Sequence, residues 1–281
     1  LEETLRSMER REQAQNHFMP FAHHVYDNFI EGNHHRIIAE KLERVARGEL
    51  KRLIVNMPPR HSKSELASYL MPAWFLGRNP KLKIIQATMN TELATRFGRK
   101  VRDLIDDPMY REIFPEITLK ADSQAAGRWE TNKGGEYFAA GVGAAMTGRG
   151  ADFFIIDDPH SEQDALSEGA FDNAYEWYTS GPRQRLQPGG AIILVMTRWG
   201  TKDLTGKLMK AQANDMMSDE WEVVEFPAIL PSDKPLWPEF WKKEELLGVK
   251  ASLSPGKWNA QWQQNPVSED VAMIKREWWR P

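Results

Sequence analysis

Four short apolar-rich runs constrain most strongly what this chain can fold into: RLIVNM at 52–57, KLKIIQAT at 81–88, ADFFIIDD at 151–158 and AIILVM at 191–196. Each is too short for a buried helix. None alternates apolar with polar residues as a half-wet strand would, so each reads as a strand buried on both faces. Helical periodicity fills the gaps. HHRIIAEKLERVARGE (34–49) is apolar at 37, 38, 42, 45 and 46 and stops at Gly48. TELATRFGRKVRDLID (91–106) carries Leu93, Phe97, Val101, Leu104 and Ile105 on one face. Further helices are expected over 63–77, around 164–180 and over 202–213, with a last strand in WEVVEFPAI (221–229). Strand–helix alternation with fully apolar strands predicts an α/β fold: a mainly parallel central sheet flanked by helices on both faces. Residues 107–150, rich in Gly and Ala, read as a hairpin and a flexible loop. The expected division is a helical segment over 1–33, a core over 34–229 and an irregular or helical extension over 230–281. That extension is rich in proline and in tryptophan (Trp237, Trp241, Trp258, Trp262, Trp278, Trp279).

The first and third runs end in residues that suit a nucleoside triphosphate and its magnesium. After RLIVNM comes PPRHSKSE, with Lys63 and Ser64 opening a helix, so a lysine, a hydroxyl and helix-start N–H groups converge where phosphates would sit. ADFFIIDD stops on Asp157 and Asp158, carboxylates at the carboxyl end of a buried strand. The loop departs from the usual glycine-bearing phosphate pattern. Aligned on Lys63-Ser64, the two glycine positions hold Met57 and Ser62. Glycine is favoured there because the backbone must wrap phosphates with φ > 0, whereas Pro58 and Pro59 stiffen the loop. Alone, the loop could also be an ordinary helix start; paired with the two aspartates it specifies phosphate chemistry.

Roles follow from residue type. Lys63 reaches the β- and γ-phosphates, and Pro59, Arg60, His61, Ser62 and Glu65 complete the loop around the nucleotide. Ser64 and Asp157 supply oxygens to Mg2+, which prefers such ligands and keeps several waters. Asp158 orients or deprotonates the attacking water, or is a second metal-side carboxylate. Two arginines compete as stabilisers of transition-state charge. Arg60 would act within the subunit, and Arg149, on the glycine-flanked TGRG loop, would reach a neighbouring one. Thr197, just past the fourth run, is placed to bond the γ-phosphate or the water and report hydrolysis. The pairs His23-His24 and His34-His35 look like metal ligands, but adjacent side chains are expected to point apart, and they read as helix residues. His35 lining a base pocket is the lesser alternative. His61 shapes the loop, and His160 supports the site from behind at most.

Composition excludes several classes. The chain of 281 residues is 41% hydrophobic and 27% charged, ordinary for a globular protein, and no stretch approaches the roughly 18 apolar residues of a membrane span. It has no cysteine, so no disulfide and no cysteine-ligated zinc. A formal net charge of −3 argues against a globally basic nucleic-acid binder. Arg36, Lys41, Arg44, Arg47, Lys51 and Arg52 read as a solvated helix face ahead of a DNA contact. The start, LEETLRSMERREQ, is charged and lacks Met, and reads as an excised piece without a signal peptide.

PPRHSKSE, TGRGADFFIIDDP and MTRWGTKDLTGKL, in this order, resemble the ATPase region of large terminase subunits, the DNA-packaging motors of tailed bacteriophages. WPEFWKKEELL and WNAQWQQNPV are similar to the segment that joins that ATPase to a nuclease domain. The resemblance runs from about residue 30 onward. It implies a P-loop NTPase of the additional-strand catalytic glutamate type, assembly as a homo-oligomeric ring on the portal protein, and ATP-driven movement of double-stranded DNA into a procapsid. It also implies a small terminase subunit as partner and the host cytoplasm as location. By position, Lys63 and Ser64 become the Walker A residues, Asp157 the Walker B aspartate, Asp158 the stand-in for the catalytic glutamate, Thr197 the coupling residue and Arg149 the finger acting in trans. The nuclease domain is not among these residues, so no DNA cleavage is expected. A helicase-like translocase and a nucleotide-binding scaffold with little turnover are the alternatives.

Overall fold

The computed structural model describes residues 2–267 except 145, 147 and 168; the expected tryptophans at 278 and 279 lie outside the described residues. Eight strands form one sheet: β1 (Arg52–Asn56), β2 (Lys83–Thr88), β3 (Leu119–Ala125), β4 (Arg128–Thr131), β5 (Glu136–Gly141), β6 (Ala151–Asp157), β7 (Leu186–Met196) and β8 (Glu222–Glu225). Their order is β3-β4-β5-β2-β6-β7-β1-β8. The pairs from β5 across to β8 are parallel, while β3, β4 and β5 form an antiparallel meander. The stretch read as a hairpin therefore supplies three strands, and a short helix precedes it.

Side chains of each central strand alternate between two apolar layers, as a sheet covered on both faces requires. Leu53 and Val55 of β1, Phe153 and Ile155 of β6, and Ile193 and Val195 of β7 enter one layer. Ile54, Phe154, Ile156, Ile192, Leu194 and Met196 enter the other. The first layer is closed by α1 (Glu2–Asn16), α2 (Phe18–Val25), α3 (Asn33–Ala46), α4 (Met71–Arg78), α5 (Thr91–Asp106) and α6 (Pro108–Ile113). Phe18, Phe21, Trp74 and Tyr110, all fully buried, tie the N-terminal helices into this core. The second layer is closed by α7 (Ala170–Ser180) and, beyond α8 (Pro182–Arg185), by α9 (Leu204–Asn214). After β8 the chain runs through α10 (Lys243–Ser252), where Ala228, Leu246, Trp258 and Trp262 form a small core of their own.

Two local expectations are corrected. The helix expected over 63–77 is α-helical only at its ends. Residues Glu65–Leu70 form a π turn before α4. The last strand ends at Glu225: the Phe226 N–H still donates to the Asn56 carbonyl, and Pro227, with no N–H, cannot extend the ladder. The basic residues of 36–52 are mostly neutralised: Arg36 pairs with Glu31, Lys41 and Arg44 with Glu222, Arg47 with Glu49, and Arg52 is buried against Asp219. Among the described residues no helix is long and apolar enough to cross a membrane.

Candidate functional site

Register brings the predicted residues together. Asp157 stands opposite Val195 and Asn56 opposite Met196, so β6, β7 and β1 end level with one another. Ligand chemistry in open α/β sheets collects at such carboxyl ends. Strand β7 lies between the loop-bearing β1 and the aspartate-bearing β6. Lys63 and Ser64 thus face Asp157 and Asp158 from above an intervening strand, and Thr197 follows the end of that strand.

The loop takes up left-handed backbone, which favours glycine, without a glycine. Arg60 and Ser62 sit at φ 61° and 68°. Ser62 occupies one of the two glycine positions, and a non-glycine residue in the left-handed region costs roughly 1–2 kcal/mol. Met57, at the other, is fully buried, and its N–H donates to the Met196 carbonyl at 3.1 Å. The His61 ring is also buried; its Nδ1–H donates to the Pro59 carbonyl at 2.8 Å and braces the loop from inside. Burial, with the Lys63 charge adding to it against the Pro59 bond, pushes His61 down to about 4, so it is neutral at physiological pH. Glu65 is held on the α5 side by Lys100, 2.9 Å away.

The acidic side is tightly bonded. Asp157 is 2% exposed. Ser64 Oγ donates to its Oδ1 at 3.0 Å and Ser68 Oγ to its Oδ2 at 2.6 Å. Burial, reinforced by the charge of Asp158, raises Asp157 to about 7; Lys63 and the two serine hydroxyls oppose that rise. Asp158 is half-buried, with φ 43°. Its Oδ1 accepts the Thr197 N–H at 2.8 Å and its Oδ2 meets Lys63 Nζ at 2.9 Å. The Thr197 hydroxyl donates to the Met57 carbonyl at 3.3 Å, so this residue fastens Asp158 to the start of the loop.

A cation fits this arrangement. Ser64 and Asp157 offer only hard oxygen donors, the set that suits Mg2+. A buried carboxylate driven toward protonation by a second one is stabilised by positive charge placed between them. Beside the loop opens a cleft of about 440 Å³ whose lining includes the aromatic Tyr26, Phe29, Trp237 and Phe240 and the polar Arg60, Lys63, Ser64 and Glu65. A cleft with both aromatic and cationic lining residues can take a base and its phosphates.

Other predicted residues lie elsewhere or behave differently. The Arg149 guanidinium rests 4.1 Å above the Phe138 ring; among the described residues no hydrogen bond or ion pair joins it to Lys63, Asp157 or Asp158. Arg60 is exposed at the cleft. His34 and His35, expected to diverge, have ring centroids 3.8 Å apart, and His34 lies 6.2 Å from His61. The α3 start turns both rings inward against Trp237, at 5.4 and 4.8 Å. Among the described residues no group of three or more His, Cys, Asp or Glu is arranged to hold a metal. His160 Nε2 accepts the Leu204 N–H at 2.9 Å, a support to α9. Sequence reasoning missed Ser68, whose only signal is its spacing of four from Ser64, and Asp203. The latter is fully buried, caps α9 through the Gly206 N–H at 3.0 Å and pairs with Arg198 at 3.0 Å.

No protein-family model matches the sequence, and no curated protein matches it significantly. Solved structures do match. The large terminase of bacteriophage HK97 superposes with a TM-score of 0.53 at 13% identity, over 83% of this chain and 52% of that one. An arginine-to-alanine mutant of the Thermus phage P74-26 large terminase ATPase domain gives 0.50 at 15% identity, over 80% of this chain and 93% of that one. The chain spans about half the length of the HK97 protein. Its fold is that of large terminase ATPase domains, a P-loop NTPase fold.

Proposed function

We propose that this chain is the ATPase region of a phage large terminase, hydrolysing ATP with Mg2+ to drive double-stranded DNA into a procapsid. The observation that carries the reading is the convergence of Lys63 and Ser64 on Asp157 and Asp158 across the intervening strand, at 2.9 and 3.0 Å. Lys63 would hold the β- and γ-phosphates, and Ser64 with Asp157 would hold the metal. Bound magnesium would neutralise charge on the phosphate oxygens. Lys63 must leave Asp158 to reach a phosphate, and its departure frees Oδ2 while the Thr197 N–H still anchors Oδ1. Oδ2 is then the atom that accepts a proton from the attacking water. Arg60, on the cleft, serves the phosphates from within the subunit. Arg149, stacked on Phe138 and bonded to none of the four site residues among the described residues, would act on a neighbouring subunit.

A homo-oligomeric ring, docking on a portal protein in the host cytoplasm and a small terminase partner belong to the same reading. DNA held through basic side chains should lose affinity steeply with salt, and a flat salt response would remove phosphate contact from the account. The Lys63–Asp158 ion pair favours one second reading, a nucleotide-binding scaffold locked against turnover. ATP hydrolysis measured against protein concentration, with Lys63→Ala as blank, separates the two. Specific activity that climbs with concentration and vanishes in the variant supports a motor completed between subunits. Tight ATP binding with no turnover in the presence of portal and DNA supports the scaffold.

A further inference from the structure

Resting on that nucleotide reading, the geometry points to a further positioning residue. We propose that Ser68 orients the metal-binding carboxylate: its hydroxyl holds Oδ2 of Asp157 so that Oδ1 stays turned toward Ser64 and the divalent cation.

Three observations carry this. First, the two serine contacts are unequal. Ser68 donates at 2.6 Å, within the short range of charge-assisted O–H···O⁻ bonds, whereas Ser64 donates at 3.0 Å, long for a hydroxyl. Second, the partners differ in what else they can do. Ser64 opens the helix beside the phosphate cleft and is only partly buried; Ser68 is fully buried, one turn further in, with no access to a ligand. When the Ser64 hydroxyl turns to a cation, Ser68 is the protein donor left on Asp157. Third, the helix is distorted where this bond forms. Residues Glu65–Leu70 make a π turn, closed by the Met71 N–H to the Leu66 carbonyl, instead of continuing as an α-helix. Such turns are rare and concentrate at functional sites. Here the turn carries Ser68 and runs on into α4, whose Trp74 and Phe75 are locked in the core. Asp157 is thereby referenced to the packed core and not only to the side chains of the loop.

A positioning residue acts on metal affinity and leaves the metal-free contacts of the nucleotide alone. Ser68→Ala is the test. Mn2+ serves as the probe, titrated by paramagnetic resonance with ADP present, and ADP affinity in EDTA is measured in parallel by calorimetry. The expected result is Mn2+ binding weakened about tenfold, the order of a hydrogen bond to a charged group, with ADP affinity in EDTA unchanged. Ser68→Cys, which keeps the volume but donates weakly, should show the same loss if the alanine variant folds poorly. Equal weakening with and without metal would mean a purely structural serine and would overturn the proposal, as would unchanged Mn2+ binding in both variants. Absence of metal-dependent ADP binding in the unsubstituted protein would overturn the nucleotide reading itself, and the Ser68 proposal with it.

Discussion

Acid should unfold this protein through its buried imidazoles, and His34 allows the effect to be measured one residue at a time. His34 is 1% exposed, and both of its ring nitrogens lack a partner among the described residues. Burial, with the charges of His35 and His61 adding to it, lowers its pKa to about 3; His35 and His61 are lowered to about 4, burial being the first cause in each. A depressed folded pKa contributes stability that is present above the unfolded value near 6.5 and lost as pH falls toward the folded value. Between pH 6.5 and 5 the unfolded chain takes up a proton at each of the three sites and the native chain takes up none. At about 1.4 kcal/mol per pH unit, each histidine then costs about 2 kcal/mol at pH 5. Asp157 works in the opposite direction. Its pKa is raised to about 7, so its contribution is present below the unfolded value near 4 and lost as pH rises through 7. Acidification therefore returns part of the histidine loss through Asp157. In His34→Leu the loss between pH 7 and pH 5 should shrink by about 2 kcal/mol. Urea unfolding followed by tryptophan fluorescence at the two pH values reads this difference directly. Equal losses in His34→Leu and the unsubstituted protein would refute the reasoning, whatever the variant's stability at pH 7.

Mixing Arg149→Ala with Lys63→Ala subunits should restore ATP hydrolysis that neither variant shows alone, because some interfaces regain both groups; no recovery in mixtures shown to co-assemble would exclude Arg149 as a finger in trans. Asp203→Ala leaves the buried Arg198 guanidinium without its 3.0 Å carboxylate and removes the α9 cap, so unfolding free energy should fall by about 3–5 kcal/mol. A drop under about 1 kcal/mol in denaturant titration would mean that Glu225, 3.1 Å from the same arginine, suffices for it. Ser62→Gly relieves the left-handed backbone at φ 68° and adds unfolded-state freedom, and the two nearly cancel, for a net change within about 1 kcal/mol. Thermal melts and ADP affinity should both stay close to those of the unsubstituted chain; a large loss of either would show that the serine side chain itself is required.

Much of this architecture is legible in the order of residues, for a physical reason. A strand buried on both faces must be apolar at every position, so 53–55, 153–156 and 192–195 announce themselves without any partner in view. A polar group at the carboxyl end of such a strand has few reasons to be there except ligand chemistry, which is why Lys63, Ser64, Asp157, Asp158 and Thr197 could be named together. Local patterning could not show what the neighbours do. The inward turn of His34 and His35 depends on Trp237, some two hundred residues away, whose ring supplies the apolar wall they share. Ser68 looks like any small residue on a helix until the π turn and the arrival of β6 place a carboxylate beside it. Asp203 and Arg198 carry no local signal of burial and become a buried pair only through the folded structure.

The sequence by itself determined β1, β2, β6, β7 and β8, their parallel pairing and the level at which the candidate site is built, because those follow from hydrophobic period and from which residue ends each run; it did not show the three-stranded meander of β3, β4 and β5. Tertiary structure alone decided the strand order that sets β7 between loop and aspartates, the ion pair that holds Lys63 on Asp158, and the place of Arg149 over Phe138. These rest on contacts between segments far apart in the chain. The free energy of such contacts depends on burial and on the partner, and neither is present in any local stretch of residues.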